Sequence, residues 1–255
     1  MKINWLKLLL IVPIGFFGWL IFFSKSKENP LSSNNLVIGT NAEYYPYCFI
    51  KDSQIAGFDI ELVLEISKRL GKNPIIKNMD FDMLIPEIQI GGLHLLAAGM
   101  TATDQRRKQV LFTEPYLKGV PLVIVTLKDK FLIKNGIKSL YGKKVAVNDG
   151  FTADLYLSNE KEIDLRRLAT VTDAFLALNS GQVDAYVSAE NALTDFFEKE
   201  GKEKFNISVI ESTDENCALA ISKHYPELLE KIQLILNNLE IDGTLDKLKK
   251  KWKLV

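Results

Sequence analysis

The chain has 255 residues, 47% hydrophobic and 25% charged, with 32 basic and 32 acidic residues and a formal net charge of zero. This ordinary globular composition supplies enough chain for two small lobes or one large domain. It excludes the strongly basic character that nucleic-acid binding demands.

The first thirty residues read as an export segment. Lys2 and Lys7 make a positive start, Leu8 to Phe23 is an uncharged apolar run, and Ser24-Lys25-Ser26-Lys27 ends it. This fits a secretory signal peptide. The run is long for one and slightly short for a comfortable membrane-spanning helix, so an uncleaved anchor is the alternative. Either way, the chain from about residue 31 onward lies outside the cytoplasmic membrane. That part carries 28 basic against 31 acidic residues, a net of −3.

Asn29 to Asn35 is a polar, turn-rich linker. Leu36-Val37-Ile38-Gly39-Thr40 reads as a buried strand, and Phe49 to Phe58 as a short hairpin. Asp59 is placed to cap a helix whose apolar stripe is Ile60, Val63, Leu64 and Leu70, and which Gly71 stops. Ile75-Ile76 is a short strand, Phe81 to Ile90 a helix containing Pro86, and Leu93 to Ala98 a third strand. This alternation predicts an α/β fold with a parallel-rich sheet.

The third strand runs into Gly99-Met100-Thr101, and Arg106 follows five residues later. A buried strand that ends in a glycine and a hydroxyl, with an arginine one helical turn on, is a carboxylate trap. The glycine lets a ligand approach the backbone. The hydroxyl and free backbone N–H groups donate hydrogen bonds, and the guanidinium grips both carboxylate oxygens in a fork that lysine cannot reproduce.

Val120 to Leu127 is a long β-rich run into a second unit. Strands are predicted at 144–147, 183–187 and 218–221, and Ile207 to Ile210 leads out through a polar stretch, Glu211 to Asn216. Helices are predicted at 152–157, 172–178, 192–200 and 226–239, with a last one from Asp242 to Trp252. The lysines of that last helix read as a solvated face. No repeat or low-complexity tract interrupts the chain.

From Leu36 to Trp252 the sequence resembles the polar amino-acid-binding receptors of ABC importers, solute-binding family 3. The resemblance is carried by Ile38 to Tyr47, Gly57 to Leu62, Gly99 to Tyr116, Gly142 to Val147, Gly150 to Ala153, Gly181 to Ala185 and the Asp-Gly-Thr tail. Each motif is weak alone; in this order they are specific. The resemblance implies a two-lobe periplasmic-binding-protein fold of type II with two crossover hinge strands. After the leader of residues 1–30, residues 31–119 and 213–255 would form one lobe and 120–212 the other. The ligand would sit in the cleft, with the lobes closing over it.

The same resemblance implies roles for individual residues. Tyr44 and Phe81 would sandwich the ligand side chain, an arrangement suited to a planar guanidinium or amide. Arg106 would hold the α-carboxylate, with Thr101, Met100 and the backbone of Gly99 and Ala98 beside it. Thr152, at a helix start after Gly150, would take the carboxylate from the other lobe. The pattern departs from the family at three places. The acid that holds the α-ammonium aligns with Ala189, leaving Glu190, or carbonyls and Ser188, to replace it. Asn41 stands where an acid pairs with a cationic ligand tip, so Glu43 or Asp149 would have to supply that charge. His94 replaces a common Asp and is read as structural, with His224 on the surface, so neither a metal nor a cofactor is expected.

Cys48 and Cys217 fall in one lobe near the cleft edge under this resemblance. They are either a disulfide or two buried thiols. The function implied is an exported, periplasmic receptor, monomeric and not an enzyme, that delivers a free amino acid to an ABC permease. Arginine or another basic amino acid is the first choice, and glutamine or another neutral polar one the second. A dehydratase-like enzyme or an anchored sensor on the same fold is a remote alternative. Glu190 is the sole candidate acid–base group, and no nucleophile elbow, zinc-ligand spacing or phosphate loop is present.

Overall fold

The computed structural model describes residues 29–130 and 133–254. The expected leader therefore lies outside the described residues, apart from its last two positions. The chain begins with β1 (Asn35–Thr40) and a small meander of β2 (Glu43–Tyr44), β3 (Cys48–Lys51) and β4 (Gln54–Ala56). Then come α1 (Phe58–Leu70), β5 (Asn73–Asn78), α2 (Phe81–Gln89), β6 (Leu95–Leu96), α3 (Asp104–Arg107) and β7 (Leu111–Phe112). After β8 (Leu117–Val120) a second unit follows: β9 (Leu122–Leu127), β10 (Lys144–Asn148), α4 (Thr152–Leu157), β11 (Asp164–Leu168), α5 (Val171–Asn179), β12 (Ala185–Ala189), α6 (Thr194–Glu200) and β13 (Phe205–Val209). The chain returns through β14 (Glu215–Cys217) and β15 (Ala220–Ile221) to α7 (Pro226–Ile241) and α8 (Thr244–Lys251).

Two five-stranded sheets result, in the orders β5-β1-β6-β15-β7 and β11-β10-β12-β9-β13. Each has a parallel centre, β5-β1-β6 in one and β11-β10-β12 in the other, with antiparallel partners added on one side. Strands β9, β10 and β12 are buried almost throughout, which is why they read as continuous apolar runs rather than alternating ones. Edge strand β5 carries Pro74, tolerated there because an edge position need not donate to a neighbour. The run from Val120 to Leu127 is divided at Pro121. Residues before it pair antiparallel with β14 on the returning chain, and residues after it enter the second sheet. The β8–β14 ribbon thus joins the two units.

Three expectations are corrected. Helix α1 begins at Phe58, with Gly57 as its N-cap at φ 131°, because a Cβ on Gly57 would fall 2.2 Å from the Tyr47 carbonyl oxygen. Asp59 is inside the first turn and makes no cap. The third strand is only two residues long, although His94 and Ala97 still donate to Val37 and Gly39 of β1. Strand β11, with the sequence DLRRL, is a polar edge strand that lacks the apolar signal by which the others were recognised.

Candidate functional site

The chain leaves β6 through the buried Ala97 and Ala98 and turns at Gly99, whose φ is 57°. A Cβ there would lie 2.6 Å from the Tyr44 ring, so both conformation and space require glycine. The Gly99 N–H is not free for a ligand: it donates to Asp59 Oδ2 at 2.6 Å, while Asp59 Oδ1 accepts from the Tyr116 hydroxyl at 2.7 Å. Burial pushes the Asp59 carboxyl up to about 6, against the opposing pull of these two donors. Met100 offers its carbonyl to the Ala218 N–H, and Thr101 bridges Cys217.

Thr103 caps α3 by accepting from the Arg106 N–H at 3.2 Å, which sets the Arg106 side chain inward. Arg106 is 3% exposed. It donates to the carbonyls of Thr101 (2.8 Å) and Gly150 (2.9 Å), and its guanidinium lies 5.2 Å from the Phe81 ring centre. Among the described residues no carboxylate forms an ion pair with it. Burial lowers its pKa to about 10, with Glu215 the largest opposing influence.

The facing wall rises from β10. Gly150, at φ 70°, donates its N–H to Asp154 Oδ2 at 3.0 Å, and Asp154 Oδ1 accepts from Arg167 Nε at 2.9 Å. Next in the chain, the Phe151 ring packs against both aromatic residues expected to sandwich a ligand. Its centre lies 5.4 Å from that of Tyr44 and 4.5 Å from that of Phe81, while Tyr44 stacks on Tyr47 at 5.0 Å. Asn191 Nδ2 donates to the Tyr47 hydroxyl. With the Arg106–Gly150 bond, these contacts close one wall on the other.

Glu215, on the β8–β14 ribbon, is 5% exposed and completes the cluster. Burial pushes its carboxyl up, opposed by the Thr152 hydroxyl, the Arg106 charge and the Thr101 hydroxyl. Thr101 Oγ1 is nevertheless buried without a hydrogen bond of ordinary geometry.

The structure therefore brings Tyr44, Phe81, Ala98, Gly99, Met100, Thr101, Arg106 and Thr152 to one place. It does not bring the proposed substitute acids there. Glu190 turns outward, 3.9 Å from Lys202 Nζ. Glu43 is exposed on an open groove beside Thr172, Asp195 and Lys199, and Asp149 is exposed. Asn41 donates to the Met79 carbonyl at 3.1 Å, and its Oδ1 is buried without a partner. Cys48 and Cys217 are free buried thiols, bonded to the carbonyls of Asn41 (3.0 Å) and Gly99 (3.5 Å) respectively. His94 accepts the Val37 N–H at 3.0 Å and is structural.

Sequence reasoning missed Glu215, assigning residues 211–216 to a polar exit. In the structure Thr213, Glu215 and Cys217 are buried and alternate with less buried neighbours, the period-two pattern of a strand face, but the run Thr-Asp-Glu-Asn-Cys carries no apolar alternation that would have marked it. Phe151 was read only as part of a motif.

Two α/β lobes joined by a crossover ribbon, with a buried arginine and aromatic rings where the lobes meet, define a cleft-type binding protein. Residues 36–255 match the model of the bacterial extracellular solute-binding proteins, family 3, and the chain belongs to that family. It is a solute-binding protein of the exported class, not an enzyme. It is 29% identical over 253 residues to the arginine-binding extracellular protein ArtP of Bacillus subtilis, covering 98% of this chain and 97% of that one. It is also 29% identical over 239 residues to a probable histidine-binding protein of Campylobacter jejuni, covering 91% of each. Among solved structures, a mutant of ArgBP from T. maritima superimposes with a TM-score of 0.80 at 35% identity, covering 86% of this chain and 95% of that one. An ancestral arginine-binding protein bound to arginine gives a TM-score of 0.80 at 34% identity, covering 86% and 98%. The structure of an ancestral arginine-binding protein bound to glutamine gives 0.79 at 34%, with the same coverage.

Proposed function

We propose that the protein captures a free amino acid between its lobes as a monomer and presents it to an ABC permease, and that arginine or another long basic amino acid is preferred. The lobes are taken as residues 31–119 with 213–255, and 120–212, hinged at the β8–β14 ribbon. The observation that carries this reading is Arg106: a buried guanidinium held only by carbonyls and an aromatic ring is costly and suits an anionic ligand group. Thr101 and Thr152 stand beside it to donate. Tyr44 and Phe81 supply flat apolar faces for a side chain, and the relatives named for arginine favour that amino acid.

Glutamine is the second reading. It is favoured by the outward placement of Glu43, Asp149 and Glu190, the acids expected to meet a cationic tip, and by the unpartnered neutral acceptor Asn41 Oδ1. Isothermal titration of the purified protein with arginine, lysine, ornithine, histidine and glutamine tests both. One-to-one binding of arginine in preference to the rest supports the first reading, and preference for glutamine supports the second. No binding across the panel overturns both.

A further inference from the structure

An amino acid carries a positive and a negative group on one carbon, and a closed cleft must satisfy each of them. Arg106 answers the negative group. Ala189 has no side-chain charge to answer the positive one, so that task falls to a buried acid without an ion pair elsewhere in the cleft.

The described carboxylates near the cleft differ in burial and partners, and Asp82, beside Gly150, is exposed. Asp59 is enclosed by the Gly99 N–H and the Tyr116 hydroxyl. Asp154 is paired with Arg167 and holds the Gly150 loop. Glu190 faces Lys202 at the surface. Glu215 alone is buried, forms no ion pair, and shares its surroundings with Arg106, Thr101 and Thr152. Its position is fixed by the strand. Glu215 pairs with Val120 on the ribbon, and two residues on, Cys217 bridges Thr101 and places its sulfur 3.5 Å from the Gly99 carbonyl oxygen. The pairing with β8 shifts register between residues 215 and 217, yet both are buried while Asn216 between them is less so, which keeps Glu215 inside beside the same trap. Thr101 Oγ1, buried and without a hydrogen bond of ordinary geometry, stands beside it.

We propose that Glu215 accepts the α-ammonium group of the bound amino acid, taking over from the hinge ribbon the task for which the second lobe has only Ala189. The inference rests on the amino-acid reading above and specifies how that ligand is told from a simple carboxylic acid. With Arg106 and Glu215 set against the ligand's carboxylate and ammonium, the four charges sum to zero and each faces its opposite.

The test compares arginine with 5-guanidinopentanoic acid, and glutamine with 4-carbamoylbutanoic acid, each pair differing only in the α-amino group. Titration calorimetry is run on the wild type and on Glu215→Gln. The wild type is expected to prefer the amino acid by about 30-fold or more. In Glu215→Gln the amino acid weakens by a similar factor while the des-amino acid changes by less than about threefold, so the preference collapses. An equal loss for both members of a pair, or an amino acid that binds Glu215→Gln as tightly as wild type or more tightly, overturns the inference and leaves the amino-acid reading standing. Tighter binding would mean that Glu215 competes for Arg106 instead. A wild type that binds arginine or glutamine with less than about tenfold preference over its des-amino partner also overturns it, whether or not the variant folds. A wild type that binds neither amino acid overturns the underlying reading as well.

Discussion

Each wall of the cleft presents a glycine turn whose N–H is pinned by a buried aspartate, and the two turns are built differently. On the first wall Asp59 holds Gly99, and the remaining partner of its carboxylate is a neutral phenol, Tyr116, inside the core. On the second, Asp154 holds Gly150 and is itself paired with Arg167, a side chain 44% exposed. The first turn is thus fixed by the lobe's interior and carries Arg106, Thr101 and the Tyr44 contact. The second is fixed by a pair open to solvent and carries Phe151 and Thr152. Under the proposed function this difference divides the labour: the first wall would serve as a preformed clamp, and the second would make its contacts on closure.

The sharpest way to break this comparison is to remove the clamp. Arg106→Ala is expected to abolish amino-acid binding, a loss of about 2–5 kcal/mol. Its melting temperature should hold or rise, since a buried cation with no ion pair has been deleted. Calorimetry and thermal unfolding on one preparation check both halves. Retained affinity would move the carboxylate site away from the first wall.

Asp59 offers the next largest effect, on stability and pH. Its carboxyl titrates near 6 when folded and near 3.9 when unfolded. Below the lower value both states are protonated and the group contributes no difference. As pH rises through this window the unfolded state releases its proton first, so stability falls, by about 3 kcal/mol once both are ionised. Asp59→Asn lacks this penalty, so its melting temperature relative to wild type should climb by roughly 4–9 °C between pH 4 and 6.5. A parallel pH profile in the two proteins would show that burial does not raise the Asp59 carboxyl in the folded state.

The comparison also explains what the sequence could disclose. The grouping of Gly99, Thr101 and Arg106 was legible because the three lie within eight residues, so the role proposed for them could be read from local spacing. Strands β9, β10 and β12 were legible because burial on both faces leaves unbroken apolar runs. Asp59 was misplaced because a short acid at a helix start serves equally as a cap or as a tie to a distant strand, and only Gly99, forty residues away, decides between them. Glu215 escaped for a related reason: its partners come from two other segments, Thr101 and Arg106 from one and Thr152 from the other. The consequence of Phe151 depends on Tyr44 and Phe81, which reach it only when both walls meet.

Phe151 is where the second wall can be tested most finely. Its ring fills space against Tyr44 and Phe81, the two faces proposed to receive the ligand side chain. A ring contact of this kind contributes about 0.5–1.5 kcal/mol, and a ligand that stacks on the same faces must first displace it. Phe151→Ser removes that competition while leaving the Gly150 turn and Thr152 in sequence. Arginine is then expected to bind more tightly, by roughly two- to tenfold by that energy, with the gain confined to long side chains. Alanine, which does not reach the aromatic faces, should change little. If arginine instead weakens, Phe151 is part of the slot that grips the side chain, and the second wall contributes to recognition as directly as the first.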